Sequence, residues 1–331
     1  MTAPPPTQAL AERHKLRWWE PLPWILALGF FFAFPNHLGF GAELLIMILF
    51  ALSLDLALGY AGIVTLGHAA FFGVGAYAVG MLSNHGIWSE PLSGLAIAAA
   101  VGALCGLASG YVLLRTTGLT LLMLTLCTMV LLEEAANLGQ EWTGGFDGLP
   151  NVSIQPLFGV FEFSPLYPTT QYLYVLGVLL LCFILLRTLV YSPFGQSLTG
   201  IRENTLRMYA VGAPVRRRLV LCYTISAAIA AVAGGLWAQA NAYVNLSVLS
   251  LDRAATVLII LVLGGYGRLY GAFIGAVAYM VLSHYLAKIY PTAWQLGLGL
   301  MLMIIALFAR NGILGIADSV LTRLRGKRAV P

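Results

Sequence analysis

Apolar runs of about 20 residues recur along this 331-residue chain, and each is long enough to cross the hydrocarbon core of a bilayer as a helix. No water satisfies a backbone in lipid, so a spanning segment must close its own hydrogen bonds. That feature leaves a helical bundle as the fold. The composition agrees: only 9% of residues are charged, against roughly 25% in a soluble domain. Mean hydropathy is +0.86. The stretch Pro21–Phe34 is not read as a cleaved leader, because no small-residue cleavage site precedes a soluble body.

The sequence therefore predicts an all-α polytopic integral membrane protein of about ten transmembrane helices, some of them discontinuous, with both termini cytoplasmic. The expected spans are 22–38, 42–59, 62–83, 91–114, 118–139, 171–190, 217–240, 250–265, 269–287 and 293–309. A cytoplasmic tail (1–21) precedes the transmembrane domain (22–310), and a basic cytoplasmic tail (311–331) follows it. This arrangement puts all but two of the 18 Lys and Arg residues on the cytoplasmic side, a strong positive-inside bias. Arg253 and Lys288 are the two expected outside. The formal charge of +5 is thus a consequence of topology and calls for no nucleic acid.

The four cysteines fall inside apolar segments without metal or disulfide spacing, so they read as small core residues. The five histidines are scattered and none forms a helical i, i+4 pair. No metal site is expected.

Residues 59–77, GYAGIVTLGHAAFFGVGAY, spend five positions on glycine. No βαβ pattern surrounds them, which excludes a nucleotide loop. Close helix packing and local unwinding beside a translocation path both fit: Tyr60 to Gly67 reads as an irregular, glycine-permitted turn, and Gly73 and Gly75 thin one face of the helix that follows. The span at 250–265 is short, and it ends, as the one at 62–83 begins, beside a Gly-Tyr turn: Gly59-Tyr60-Ala61-Gly62 and Gly265-Tyr266-Gly267-Arg268. A faint internal repeat and chance similarity are equally compatible with that pairing.

Asp55, Thr65, His68, Thr125 and Glu134 are the candidate path residues in or beside the spans. An intramembrane carboxylate is costly and usually faces a bundle interior or a cavity. Asp55 could instead anchor a helix end or His68. His68 reads best as a polar cap or interhelical hydrogen-bonding group, and Thr125 can bond its own helix backbone. Glu134 stands beside Glu133 at the expected outer end of its span.

Two loops stand out. The loop at 140–170 carries Glu141, Asp147 and Glu162 but no Lys or Arg, so it is expected on the periplasmic face, with WTGGFDGLP (142–150) forming compact turns. The loop at 191–218 is expected in the cytoplasm. It opens with Ser192 as N-cap and Pro193 at the first helical position, and Gly212 and Pro214 stop the helix. Phe194, Leu198, Ile201, Thr205 and Met208 form one stripe, while Arg202, Glu203, Asn204 and Arg207 take the other surface. Such a helix either rests on lipid headgroups or inserts into a groove on a soluble partner.

SPFGQSLTGIREN followed by AVGAP resembles the cytoplasmic coupling segment of membrane subunits in the branched-chain amino-acid (LivM-type, LivH/LivM) family of ABC importers. GYAGIVTLGHAAFFGVGAY resembles that family's Gly-x-x-Ser-Leu-Gly-His-Ala-Ala-Phe-Phe-Gly run, WTGGFDGL its Thr-Gly-Gly-x-Asp-Gly motif, and LVLGGYGRLYGAFIGA (261–276) its Gly-Gly-x-Gly-x-x-x-Gly motif. Thr65 stands where the family usually has Ser, and Asp55 where Asn is common. The likeness covers residues 42–310 or so, with four motifs in order.

The resemblance implies a bacterial inner-membrane permease that is not itself an enzyme. Its implied partners are a second homologous permease subunit, two ATP-binding subunits and a periplasmic substrate-binding protein. ATP and Mg would sit on the partner subunits, with no cofactor in this chain. Consistent with that, no Gly-x-x-x-x-Gly-Lys-[Ser/Thr] phosphate loop occurs in the sequence. The resemblance further implies a coupling interface at Phe194, Leu198, Ile201, Arg202, Glu203, Asn204 and Arg207. The competing readings are an autonomous proton-coupled transporter using Asp55 and Glu134, and a membrane-embedded enzyme, for which no clustered constellation is visible. The cargo is left open among branched-chain amino acids, urea or short amides, and aromatic or other carboxylates.

Overall fold

The computed structural model describes residues 20–150, 152 and 168–289, with six isolated positions between 296 and 315. Most of the expected span at 293–309, nearly all of both expected tails, and most of the 140–170 loop after Pro150 lie outside the described residues.

Each of the first nine expected spans coincides with a helix. These are α1 (Leu22–Ala33), α2 (Leu38–Leu54), α3 (His68–Asn84), α4 (Pro91–Leu113), α5 (Leu119–Leu138), α7 (Pro168–Tyr191), α10 (Val215–Asn241), α11 (Leu251–Gly264) and α12 (Leu269–Ile289). The short helices α6 (Gln140–Thr143), α8 (Pro193–Glu203) and α9 (Thr205–Ala210) lie in the loops. Six of the described helices are long and apolar enough to cross a membrane: α2 with its flanking turns (Pro35–Tyr60), α4, α5, α7, α10 and α12. No strand occurs among the described residues, only an isolated antiparallel bridge between Leu149 and Val244.

The shorter spans have local causes. Pro35 lacks an amide proton and disfavours helical backbone at the residue before it. Accordingly α1 ends at Ala33, and Phe34 takes φ −131°, ψ 64°. The expected span at 62–83 starts six residues late, at His68, because residues 61–67 run as irregular backbone. Likewise α11 begins only after a 3₁₀ turn at Leu246–Leu249 that folds into the bundle, with Val248 and Leu249 both buried.

At the centre lies α10, packed on α4, α3 and α2. Hydrophobicity cannot select a packing face on helices that are apolar all round. Small residues do, by letting backbones approach. On α4, Gly94, Ala98, Gly102, Gly106 and Gly110 recur every four residues and all are buried. A methyl group at Gly106 would lie 3.3 Å from the Thr224 backbone, and one at Gly110 would lie 2.9 Å from the Tyr223 ring. On α3, Gly75 faces the Ala231 backbone, and Gly234 of α10 faces that of Phe72. The outward faces carry Leu104, Leu131 and Leu181, all exposed, as lipid contact requires.

The two ends of the bundle differ. At the α8 end, Glu20 and Arg187 form an ion pair at 2.9 Å, tying the residue pair before α1 to α7 one turn short of its end. At the opposite end, the Leu149–Val244 bridge and a Tyr243 hydroxyl donating to the Asp147 carbonyl at 2.8 Å join the turn at 144–149 to the chain after α10.

Candidate functional site

A polar junction joins the end of α2, the surface helix α8 and the turn after α11. From Asp55 to Tyr60 the α2 helix widens into a π-type turn, closed by the Ala61 amide donating to the Leu56 carbonyl at 3.3 Å. Such widened turns inside helices are frequent at functional sites. Asp55 is wholly buried, and its Oδ1 accepts the Gly267 amide at 2.6 Å. Its Oδ2 has no partner among the described residues.

The same turn receives Arg202 from α8. Its Nη1 donates to the Gly59 carbonyl, and its guanidinium lies 5.3 Å from the centroid of the Tyr266 ring. A side chain at Gly59 would run into the Asp55 carboxylate and the Gly267 backbone, so this close approach demands glycine. Gly267 itself has φ +77°, a region glycine enters without steric cost. The two Gly-Tyr turns noted in the sequence are therefore in contact, with Arg202 of the loop helix placed across both.

Ser192 caps α8, its hydroxyl accepting the Gly195 amide at 3.4 Å. The expected single helix from 193 to 211 is two helices. Asn204 is extended (φ −155°, ψ 96°), and its Oδ1 caps α9 by accepting the Arg207 amide at 2.9 Å. A side-chain amide that rewards non-helical backbone explains the break. Within α8, Leu198 and Ile201 are buried against the chain's own bundle, and Phe194 packs on the same core. Glu203, Asn204 and Arg207 are exposed. So are Leu206 (81%), Val211 (78%) and Tyr209 (56%). Leu206 and Val211 lie off the apolar stripe that the sequence shows, and Tyr209 stands near a position often held by Glu in coupling segments of this kind.

Thr65, His68 and Thr125 gather one step deeper. His68 is buried, and its Nε2 lies 2.9 Å from the Ser53 hydroxyl. It does not pair with Asp55. Thr65 Oγ1 accepts the Gly67 amide at 3.1 Å. Thr125 Oγ1 donates to its own helix at Leu122 (2.9 Å) and accepts the Leu66 amide at 3.4 Å, tying α5 to the irregular segment. Glu134 is separate: it lies nine residues further along α5, about 13 Å by helical rise, and is exposed. Arg253, expected on the periplasmic side, is half-buried and stacks against Trp237 and Phe72, following the inward 3₁₀ turn that precedes α11.

A cleft of about 770 Å³ opens beside the junction, between the 61–64 segment, the α4–α5 turn and α8–α10. Arg115, Arg202, Arg216 and Thr116 line it among apolar side chains. Among the described residues no group of three His, Cys, Asp or Glu side chains is placed to hold a metal ion. This arrangement offers hydrogen bonds, charge and a mechanical connection between a surface helix and the ends of two membrane helices.

Comparison with known proteins places that geometry. Residues 38–307 match the family described as branched-chain amino acid transport system / permease component. The high-affinity branched-chain amino acid transport system permease protein LivM of Escherichia coli (strain K12) is 28% identical over 295 residues, covering 82% of this chain and 68% of its own. The autoinducer 2 import system permease protein LsrC of Enterobacter sp. (strain 638) is 33% identical over 217 residues, covering 62% of this chain and 58% of its own. A probable LivM of Methanocaldococcus jannaschii is 24% identical over 276 residues, covering 70% and 76% respectively. No solved structure matches significantly. With the family match running from α2 past α12, this multi-pass membrane chain belongs to the branched-chain amino acid transport system permease family.

Proposed function

We propose that this chain is one of two homologous permease subunits of a bacterial cytoplasmic-membrane ABC importer. It would translocate branched-chain amino acids or a related small polar solute delivered by a periplasmic binding protein. ATP and Mg belong to two separate ATP-binding subunits, and this chain contributes motion, not chemistry. The observation that carries the reading is Arg202 on the Gly59 carbonyl, beside Asp55 on the Gly267 amide. Force applied to a cytoplasmic α8 reaches the ends of α2 and α11 through these contacts, and both helices line the bundle interior.

In this reading Leu198, Ile201 and Phe194 root α8 in the membrane domain, while Glu203, Asn204 and Arg207, with Leu206 and Tyr209, present the surface an ATPase groove would grip. A proton-coupled carrier using Asp55 and Glu134 is less favoured, since Asp55 Oδ1 is committed to a backbone amide and Glu134 lies apart on the exposed face of α5. The test is co-purification and reconstitution of the chain with its genomically linked ATPases, partner permease and binding protein. Solute uptake that requires ATP and the binding protein is expected. Uptake driven by a proton gradient without ATPases would sink the reading.

A further inference from the structure

The cleft beside the junction holds a pair of cations that the coupling reading leaves unused. Arg115 lies two residues beyond the end of α4, and Arg216 stands in the first turn of α10. Both guanidiniums sit over one ring. Tyr111, in the last turn of α4, has its ring centroid 5.1 Å from Arg115 Cζ and 4.8 Å from Arg216 Cζ. Arg216 Nη2 also donates to the Tyr111 carbonyl at 3.1 Å. All three side chains are exposed, and both arginines line the cleft.

These two like charges have no anion between them. Among the described residues the ion pair is Glu20–Arg187, and no Asp or Glu lines the cleft. Arg202, the third arginine there, already donates to the Gly59 carbonyl. Like charges held at one ring repel, and an anion that accepts from both relieves the repulsion. Two guanidinium forks suit the oxygens of a phosphate.

The walls decide what carries that anion. Val64, Leu114, Leu119 and Leu122 line the cleft, and Val64 and Leu119 are exposed. From its mouth an exposed stripe of α4, Tyr111, Leu107 and Leu104, runs back along the membrane-spanning helix. A water-borne anion has no use for such a stripe, whereas acyl chains do. Basic pockets between membrane helices hold anionic headgroups, and a volume of about 770 Å³ falls in the range that takes a drug-sized group.

We propose that this cleft is a binding site for an anionic phospholipid. Arg115 and Arg216 grip the headgroup phosphate, the Tyr111 ring holds both guanidiniums in place, and the acyl chains lie along the exposed face of α4. The site is independent of the cargo and needs only that the bundle spans a membrane.

The test is native mass spectrometry of the assembly purified through this chain in neutral detergent, offered equal amounts of dioleoylphosphatidylglycerol and dioleoylphosphatidylcholine. Wild type is expected to retain the phosphatidylglycerol selectively. Arg115→Gln and Arg216→Gln are each expected to weaken that retention about fivefold. Arg207→Gln removes a charge from the same end but outside the cleft, and should change retention by less than about twofold. Replacing both arginines by lysine keeps the charges and loses the forks; this variant should fall between, and unchanged retention in it would overturn the grip by two forks even if a Gln variant failed to assemble. An equal loss in Arg115→Gln, Arg216→Gln and Arg207→Gln would overturn the site in favour of net charge alone. Equal retention of the two lipids, or of neither, would also overturn it, the latter leaving the cleft to a partner subunit. Displacement of the lipid by soluble glycerol phosphate at equal concentration would show that the cleft takes a free phosphate, and would overturn the lipid assignment.

Discussion

Asp55 Oδ1 accepts the backbone amide of Gly267 at 2.6 Å, across 212 positions of sequence. Without that carboxylate the part-buried amide, at the turn between α11 and α12, loses its acceptor. The carboxylate therefore acts as a clasp between the end of α2 and the end of α11.

Asn at position 55 retains an acceptor oxygen, and Ala does not. Asp55→Asn is expected to keep thermal stability in detergent near wild type and to support uptake. Asp55→Ala strands the Gly267 amide and is expected to cost about 1–3 kcal/mol, read as a lowered Tm by scanning fluorimetry. Loss of all uptake in Asp55→Asn with Tm unchanged would point to a protonation role and against the clasp.

Arg202 joins the surface helix to the same clasp, and its side chain is otherwise exposed. Its removal is therefore expected to spare folding and to damage transmission. Arg202→Ala should give a stable assembly that still hydrolyses ATP but imports several-fold less solute per ATP. Arg202→Lys keeps the charge without the planar contact to Tyr266 and should fall between. Unchanged import per ATP in Arg202→Ala would show that α8 drives the bundle through its buried Leu198 and Ile201 instead.

The helical bundle was legible because span length and cap chemistry are local signals: Ser192 and Pro193 mark the start of α8 where the structure has it. The start of α3 at His68 was legible in the glycines, which mark Tyr60–Gly67 as an irregular turn, although the apolar run itself begins at 62. The contact between the two Gly-Tyr turns was not legible, because nothing local to residues 59–62 specifies residues 265–268. Nor was the orientation of the α8 stripe. An apolar face reads the same whether it covers its own bundle or a partner, and only burial separates the two. The four-residue ladder of small residues on α4 was present in the sequence from Gly94 to Gly110, though it takes the packed structure to identify Ala227, Ala231 and Tyr223 as what it meets.

That packing makes a sharp contrast between glycines. A methyl group at Gly234 would meet the Phe72 backbone, which cannot move aside as a side-chain tip can, whereas at Gly177 on α7 nothing lies within 4 Å. Gly234→Ala is expected to lower stability by about 1–3 kcal/mol through overpacking. Gly177→Ala is expected to be neutral or to raise stability by about 0.5–1 kcal/mol, since alanine loses less backbone entropy in a helix. Equal melting temperatures for the two variants would contradict the α3–α10 contact.

Asn204 controls the shape of the surface that α8 and α9 offer a partner. Its Oδ1 caps α9 at Arg207 while its extended backbone ends α8. Asp at this position can cap as well, so Asn204→Asp should behave as wild type. Asn204→Ala loses the cap, worth about 1 kcal/mol, and removes the reward for breaking the helix. The expected result is faster hydrogen exchange at the Arg207 amide if α9 frays, or slower exchange throughout 203–208 if α8 and α9 fuse. In either case Leu206 and Tyr209 turn away from their present directions, and ATPase stimulation by loaded binding protein should drop while the membrane bundle keeps its Tm. A variant with altered exchange but full stimulation would remove α9 from the coupling surface and leave Glu203 and the exposed face of α8 to carry it.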